Sequence, residues 1–428
     1  MSDRKMGFFS VFAIVFSSQV GSGIFMLPAT LAPYGIFGVW GWCYAGLGAM
    51  LLAMVFGELC SRYPSTGGPH AYINEVFGPL PAFFIGWAYW LTSWISTSVV
   101  VISSIAYLHP IIGNLSPSTS LCLEIALLLV ITAINCIGVG FAGRIEFFLM
   151  LLKFMPFILA PAVICSHFDA ANLVLAADCA NSSAFSLSTT AATLCFWGFI
   201  GVECATAPAG AVRNPSKTIP RAIILGTLTV ALVYFINSTA IMGVIPGETL
   251  AASKAPFTDA IAVVAGRNIS LLLSLVASIV CIGTTNAWIL TSAQVSLGLA
   301  QDNMLPKFFA KQNSGDSPYV SVLVSCFGTI PILILTKNES VSQQVAGIVE
   351  FSVMGFLMVY VACCLALIKI LLKERKILKM ALGIGGLAFC LLMISDASPQ
   401  AILIALLFFA SGIFILPFTK TLSLKEKR

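Results

Sequence analysis

Twelve times between residues 8 and 418 the chain runs apolar for long enough to cross a lipid bilayer. A spanning helix needs about 20 predominantly apolar residues. The runs are 8–31, 36–59, 82–109, 120–141, 145–167, 188–211, 221–245, 270–295, 319–336, 341–369, 380–395 and 399–418. Only short loops lie between them, so the sequence predicts one polytopic all-α domain over 1–428 and leaves no room for a soluble domain. With 59% hydrophobic and 9% charged residues, an ordinary soluble fold is excluded. The first run is too long for a cleavable leader, and it holds Pro28 and further helix instead of a small-residue cleavage site.

Charge sets the orientation. With the N-terminus in the cytoplasm, all but four of the 22 Lys and Arg fall on that side. Lys254, Arg267 and Lys337 face the other way, and Lys153 lies inside a run. This is the positive-inside pattern, with both termini cytoplasmic. It assigns the net charge of +5 to topology and not to nucleic acid. The 13 cysteines are scattered without a CxxC pair and read as small packing residues. Nucleotide-loop, HExxH and GxSxG motifs are missing, so neither an enzyme nor a metal or cofactor site is expected. Gly383 and Gly386 read as packing glycines.

The first run carries the informative break, Val20-Gly21-Ser22-Gly23-Ile24. Each Gly weakens a helix by about 1 kcal/mol relative to Ala. A helix that opens there exposes N–H groups at the start of its second half, a place for a carboxylate. A small-residue packing face between helices is the competing reading. The sixth run repeats the pattern with Gly198 and Gly201, followed by Glu203. Glycine-interrupted first and sixth runs point to two inverted repeats of five helices, 8–167 and 188–369, with 380–418 appended. The site is then expected where the two breaks meet.

Ionisable groups within spans are functional candidates, here Lys153 and Glu203, with Glu350 in the tenth run. Lys153 must reach the interface, pair or function. Tyr89, Thr92, Ser93 and Thr97 give the third run a polar face, and Thr284, Thr285, Asn286 and Trp288 do the same for the eighth. Ordinary helix–helix hydrogen bonds would also explain those faces. His70, His109 and His167 are expected at interfaces.

The run Gly21 to Ala29, the loop Pro64-Ser65-Thr66-Gly67-Gly68, and Phe199 to Glu203 through Arg213-Asn214-Pro215 resemble the amino acid/polyamine/organocation transporter superfamily. Thr239 to Pro246 and Ala255-Pro256-Phe257 look most like its basic amino acid/polyamine antiporter branch, that of the arginine/agmatine antiporters. The resemblance covers essentially all of 8–418. It implies a LeuT-like fold with broken helices 1 and 6. It implies that substrate carboxylate meets Ser22 and Gly23, that the α-amino group meets carbonyls of Gln19 and Ile200, and that Trp197 closes over it. The substrate's side-chain cation would stack on Trp288, lined by Thr92, Ser93, Thr97 and Ser352. Ser18 and Thr97 stand where those antiporters carry asparagines, and Lys153 stands where they are apolar. A lysine at that place goes with proton-coupled uptake in other branches.

The sequence therefore predicts a secondary transporter of the bacterial inner membrane that exchanges a cationic amino acid for its decarboxylated amine. Proton symport through Lys153 and a non-transporting nutrient sensor are the alternatives. The partners expected are the small-molecule substrate and membrane lipid, and a homodimer stays open.

Overall fold

A computed structural model describes residues 5–419 except Ser22, Asn114, Ala180, Lys254, Ala255, Glu339 and Ser340. The side chains of 110, 154–156, 158–160, 163, 178, 270, 341–347 and 350 are likewise outside the description. The chain is helical throughout: α1 (Phe8–Gln19), α2 (Gly23–Leu31), α3 (Ile36–Arg62), α4 (Pro69–Phe77), α5 (Pro79–Ala106), α6 (His109–Ile112), α7 (Pro117–Ile137), α8 (Val139–Ile164) and α9 (Ala184–Phe196). The second half holds α10 (Pro215–Val244), α11 (Gly247–Ala251), α12 (Pro256–Ala265), α13 (Arg267–Gln301), α14 (Tyr319–Thr336), α15 (Val341–Lys373), α16 (Ile377–Ser395) and α17 (Pro399–Ser411). Among the described residues the only strand-like pairing is one bridge, Met6 to Val212. It ties the segment before α1 to the end of the sixth span.

Eleven described stretches are long and apolar enough to cross a membrane, the first of them joining α1 and α2. α8 has 26 residues, about 39 Å at 1.5 Å per residue, and supplies the twelfth. Proline in the first turn opens α4, α5, α7, α10 and α17, where its missing N–H costs nothing. Ser116, Ser183 and Ser398 cap α7, α9 and α17 with side-chain oxygens.

Burial orders the bundle. The spans of α1–α2 and α5 are 82% and 83% buried, whereas that of α17 is 17% buried, so the first and third spans are central and the last is peripheral. α1 packs against α8, α10 and α13. α5 lies against α13 and α15, and α3 lies against α9 and α10. Leu151, Leu335, Leu378 and Phe414 are exposed on the outside, where lipid is the solvent that suits them.

The structure shifts three sequence readings. The turn between the fourth and fifth spans is at Gly138, so α8 begins at Val139 and not near residue 145. The stretch 246–268, by its length enough for one amphipathic helix lying on the core, instead forms the two short helices α11 and α12, and Phe257 packs edge-on against Phe25 at 5.3 Å. His70 is fully buried instead of interfacial. Its ring lies 3.1 Å from the Asp302 carboxylate and 3.2 Å from the Gly67 carbonyl, fastening α4 to the end of α13. Gly383 and Gly386 pack on Ile368 and Cys364 of α15, as read from the sequence.

Candidate functional site

α1 stops at Gln19 because Val20 turns extended, with ψ 96°. Val20 N–H still donates to Phe16 O at 2.8 Å, but the next carbonyls have lost their helical donors. Side chains from three other helices replace them. Lys153 Nζ of α8 donates to Ser17 O at 3.4 Å, and Trp288 Nε1 of α13 to Ser18 O at 3.1 Å. The Tyr234 hydroxyl of α10 donates to Gln19 O at 2.9 Å, and Thr284 Oγ1 of α13 to Val20 O at 2.7 Å. Each orphan carbonyl thus holds a neighbouring helix to the break. Gly21 is needed for this approach, because a Cβ there would sit 3.0 Å from the Thr284 methyl carbon. Ser22 lies outside the described residues, and α2 resumes at Gly23.

The second break follows α9. A 3-10 turn spans Trp197–Phe199, Ile200 is extended, and Gly201 takes φ +104°, which L side chains rarely adopt. The rest of the sixth span continues as short 3-10 turns at Cys204–Thr206 and Ala209–Ala211 and not as a second α-helix. Ser18 Oγ donates to Gly201 O at 3.0 Å, which joins the two breaks directly. Glu203 is fully buried just beyond. Tyr89 of α5 donates to its Oε1 at 2.9 Å, and Tyr360 of α15 donates to Oε2. The carboxylate therefore clamps two further helices to the second break.

The two breaks face one another across a cavity of about 20 Å³, enough for a single water. Ser18, Gln19, Gly21 and Gly23 line it from the first break, and Trp197, Gly198 and Ile200 from the second. Ser96 and Val100 of α5, Tyr234 of α10, and Thr284 and Trp288 of α13 complete it. Gly198 is pressed against Tyr234, with a hypothetical Cβ 3.0 Å from the phenol ring. A separate vestibule of about 810 Å³ opens on the N-terminal face, lined among others by Lys5, Arg144, Gln294 and Gln301.

Of the residues expected at the site, Gln19, Gly21, Gly23, Trp197, Gly198, Ile200 and Trp288 line the cavity. Tyr89 and Gly201 stand immediately behind it, on Glu203 and Ser18. Thr92, Ser93, Thr97 and Ser352 do not line it. Their hydroxyls donate to carbonyls of their own helices, Ala88, Trp90, Ser93 and Ile348. α5 presents Ser96 and Val100 instead. The Glu350 side chain lies outside the described residues. Lys153 is fully buried, 3.8 Å from the equally buried Glu146, so it pairs instead of reaching the interface. Tyr234, Tyr360, Glu146 and Ser96 had no part in the sequence reading of the site.

Two interrupted helices that meet at a buried cavity, inside a bundle of membrane-crossing helices, define a multi-pass membrane transporter. Comparison with known proteins places it further: the amino acid permease family profile matches residues 6–427, and the chain belongs to that family. It is 28% identical over 406 residues to the cadaverine/lysine antiporter of Escherichia coli, covering 93% of this chain and 91% of that one. It is 26% identical over 467 residues to a putative arginine/ornithine antiporter of Bacillus subtilis, covering 99% of each. The putrescine transporter PotE of Haemophilus influenzae is 27% identical over 373 residues, 87% of this chain and 86% of that one.

Proposed function

We propose that this permease exchanges a cationic amino acid for its decarboxylated amine by alternating access. The observation that carries the reading is the meeting of both breaks at one cavity walled by Trp197 and Trp288. It is supported by relatives that are named as antiporters of an amino acid and an amine or of two amino acids. The substrate carboxylate takes the N–H groups at the start of α2, at Gly23 and the neighbouring Ser22. Its α-amino group takes carbonyls at Gln19 and Ile200. Its side-chain cation lies on the Trp288 face, a contact of about 0.5–2 kcal/mol that needs no full countercharge and so permits release. The 20 Å³ cavity is far smaller than an amino acid. Loading therefore moves a wall, and the half-buried Trp197 is the mobile one. Glu203 is the coupling candidate at the second break, and the first, sixth and tenth spans tilt to close one side. With the N-terminus in the cytoplasm of a bacterial inner membrane, the open vestibule faces inward. Import of the amino acid against export of its amine then removes one positive charge per cycle.

The test is uptake of labelled lysine and arginine into proteoliposomes with and without internal unlabelled cadaverine, agmatine or putrescine. Uptake that requires the internal amine is the expected result. Equal uptake into empty vesicles overturns exchange.

A further inference from the structure

Lys153 and Glu146 stand two turns apart on one face of α8, and both side chains are fully buried. Nζ lies 3.8 Å from Glu146 Oε1. Its hydrogen-bond acceptors are neutral: Thr284 Oγ1 at 3.1 Å and Ser17 O at 3.4 Å. The network behind Glu146 has a fixed sense. Asn135 Nδ2 of α7 donates to Asn286 Oδ1 at 2.9 Å, which turns the Asn286 nitrogen toward Glu146 Oε2 at 2.6 Å. A donor at that distance favours a carboxylate over a carboxylic acid. The groups that face Lys153 are therefore Glu146 on its own helix, Ser17 of α1, and Cys281 and Thr284 of α13. Among the described residues Glu146 is the only one within ion-pair distance.

We infer that Glu146 is a positioning residue that holds Lys153 as a permanent ammonium. As such Lys153 caps the broken end of α1 throughout the cycle and carries no proton. The pair is neutral as a unit, which makes a buried cation at this depth tolerable. The negative end of the α1 dipole favours the same charge state. A pH gradient then does no work through Lys153. This inference rests on the exchange reading and adds the residue that enforces it.

Removing the carboxylate reverses the situation. In E146Q the ammonium is an unpaired buried charge, and release of its proton becomes the cheaper state. Lys153 can then load on the acid side and unload on the other. The experiment is labelled lysine uptake into proteoliposomes of wild type, E146Q and E146Q/K153M. Each is run with internal cadaverine, and separately into empty vesicles with and without an inward proton gradient. Wild type should need cadaverine and ignore the gradient. E146Q should gain a severalfold gradient-driven uptake into empty vesicles, and K153M in the same chain should abolish it. A merely structural role for Glu146 slows every mode and creates no new one. If wild type fills empty vesicles unaided, the exchange reading fails. If wild type exchanges and folded E146Q gains no gradient-driven uptake, the assignment of Glu146 fails and exchange stands. Should E146Q not fold, Asn286→Leu removes the donor that holds Glu146. A smaller gradient-driven uptake is then expected, and its absence overturns the assignment.

Discussion

Trp288 donates its indole N–H to the Ser18 carbonyl across 3.1 Å, so one side chain both walls the cavity and caps the broken end of α1. The two roles separate by substitution. Trp288→Phe keeps an aromatic face and drops the donor, and Trp288→Leu drops both. Each should lose about 1 kcal/mol of stability through the unsatisfied carbonyl. Only Leu should lose a further ~1–2 kcal/mol of binding for cationic substrates. Equilibrium binding of labelled lysine alongside thermal unfolding reads the two effects. Equal affinities for Phe and Leu would remove the ring face from the pocket.

Glu203 presents one oxygen to Tyr89 and the other to Tyr360. A glutamine can accept only on its single oxygen, and its NH₂ turns the second tyrosine from donor to acceptor. Glu203→Gln should therefore destabilise by about 1.5–3 kcal/mol, the range for hydrogen bonds to a charged group. As the coupling candidate, Glu203 should also set the pH profile of exchange, so the variant profile should be flat from acid to neutral. Exchange measured across that range decides it. A profile parallel to wild type leaves Glu203 as a clamp alone.

Gly201 combines φ +104° with a site for Cβ 3.0 Å from Ser18 and 3.2 Å from the Trp288 ring. Gly201→Ala should cost about 1–3 kcal/mol in backbone strain. It should also abolish transport by pushing the two breaks apart. Gly7→Ala is the matched control, because nothing lies within 4 Å of its Cβ position. Expression, melting temperature and exchange of the pair separate local strain from a general intolerance of alanine.

The spans and both breaks were legible because length, hydropathy and paired glycines survive without tertiary context. Glu146 was not. A span beginning near 145 puts it in the first turn beside Arg144, where a carboxylate looks interfacial. With α8 starting at Val139, the same residue lies two turns inside the bundle. On α5 the polar residues Thr92, Ser93, Ser96, Thr97 and Ser98 are too dense for periodicity to select a face. Each satisfies itself on a carbonyl three or four residues back, so polarity carries no information about what lines the cavity. Tyr234 and Tyr360 sit in apolar runs and look like core until their hydroxyls are seen on Gln19 O and Glu203.

At the N-terminal face, Arg62 at the end of α3 binds Glu58 at 2.7 Å and also Glu374 just after α15. Lys376 reaches Glu374 at 2.9 Å, and Lys379 reaches Glu58 at 3.3 Å. The Lys376 and Arg62 cations hold the Glu374 carboxyl below its ordinary value of 4.5. A carboxyl lowered on folding adds stability above its unfolded value, and that stability is lost as pH falls through the lower folded value. Glu374→Gln should therefore lower the melting temperature at neutral pH, with the gap to wild type closing as pH falls below about 4.5. The pairs are exposed, so salt should shrink the gap as well. Thermal melts of both proteins in detergent at neutral and acid pH, each in low and high salt, test this. A gap that persists in acid would assign the loss to packing of the Glu374 side chain and not to its charge.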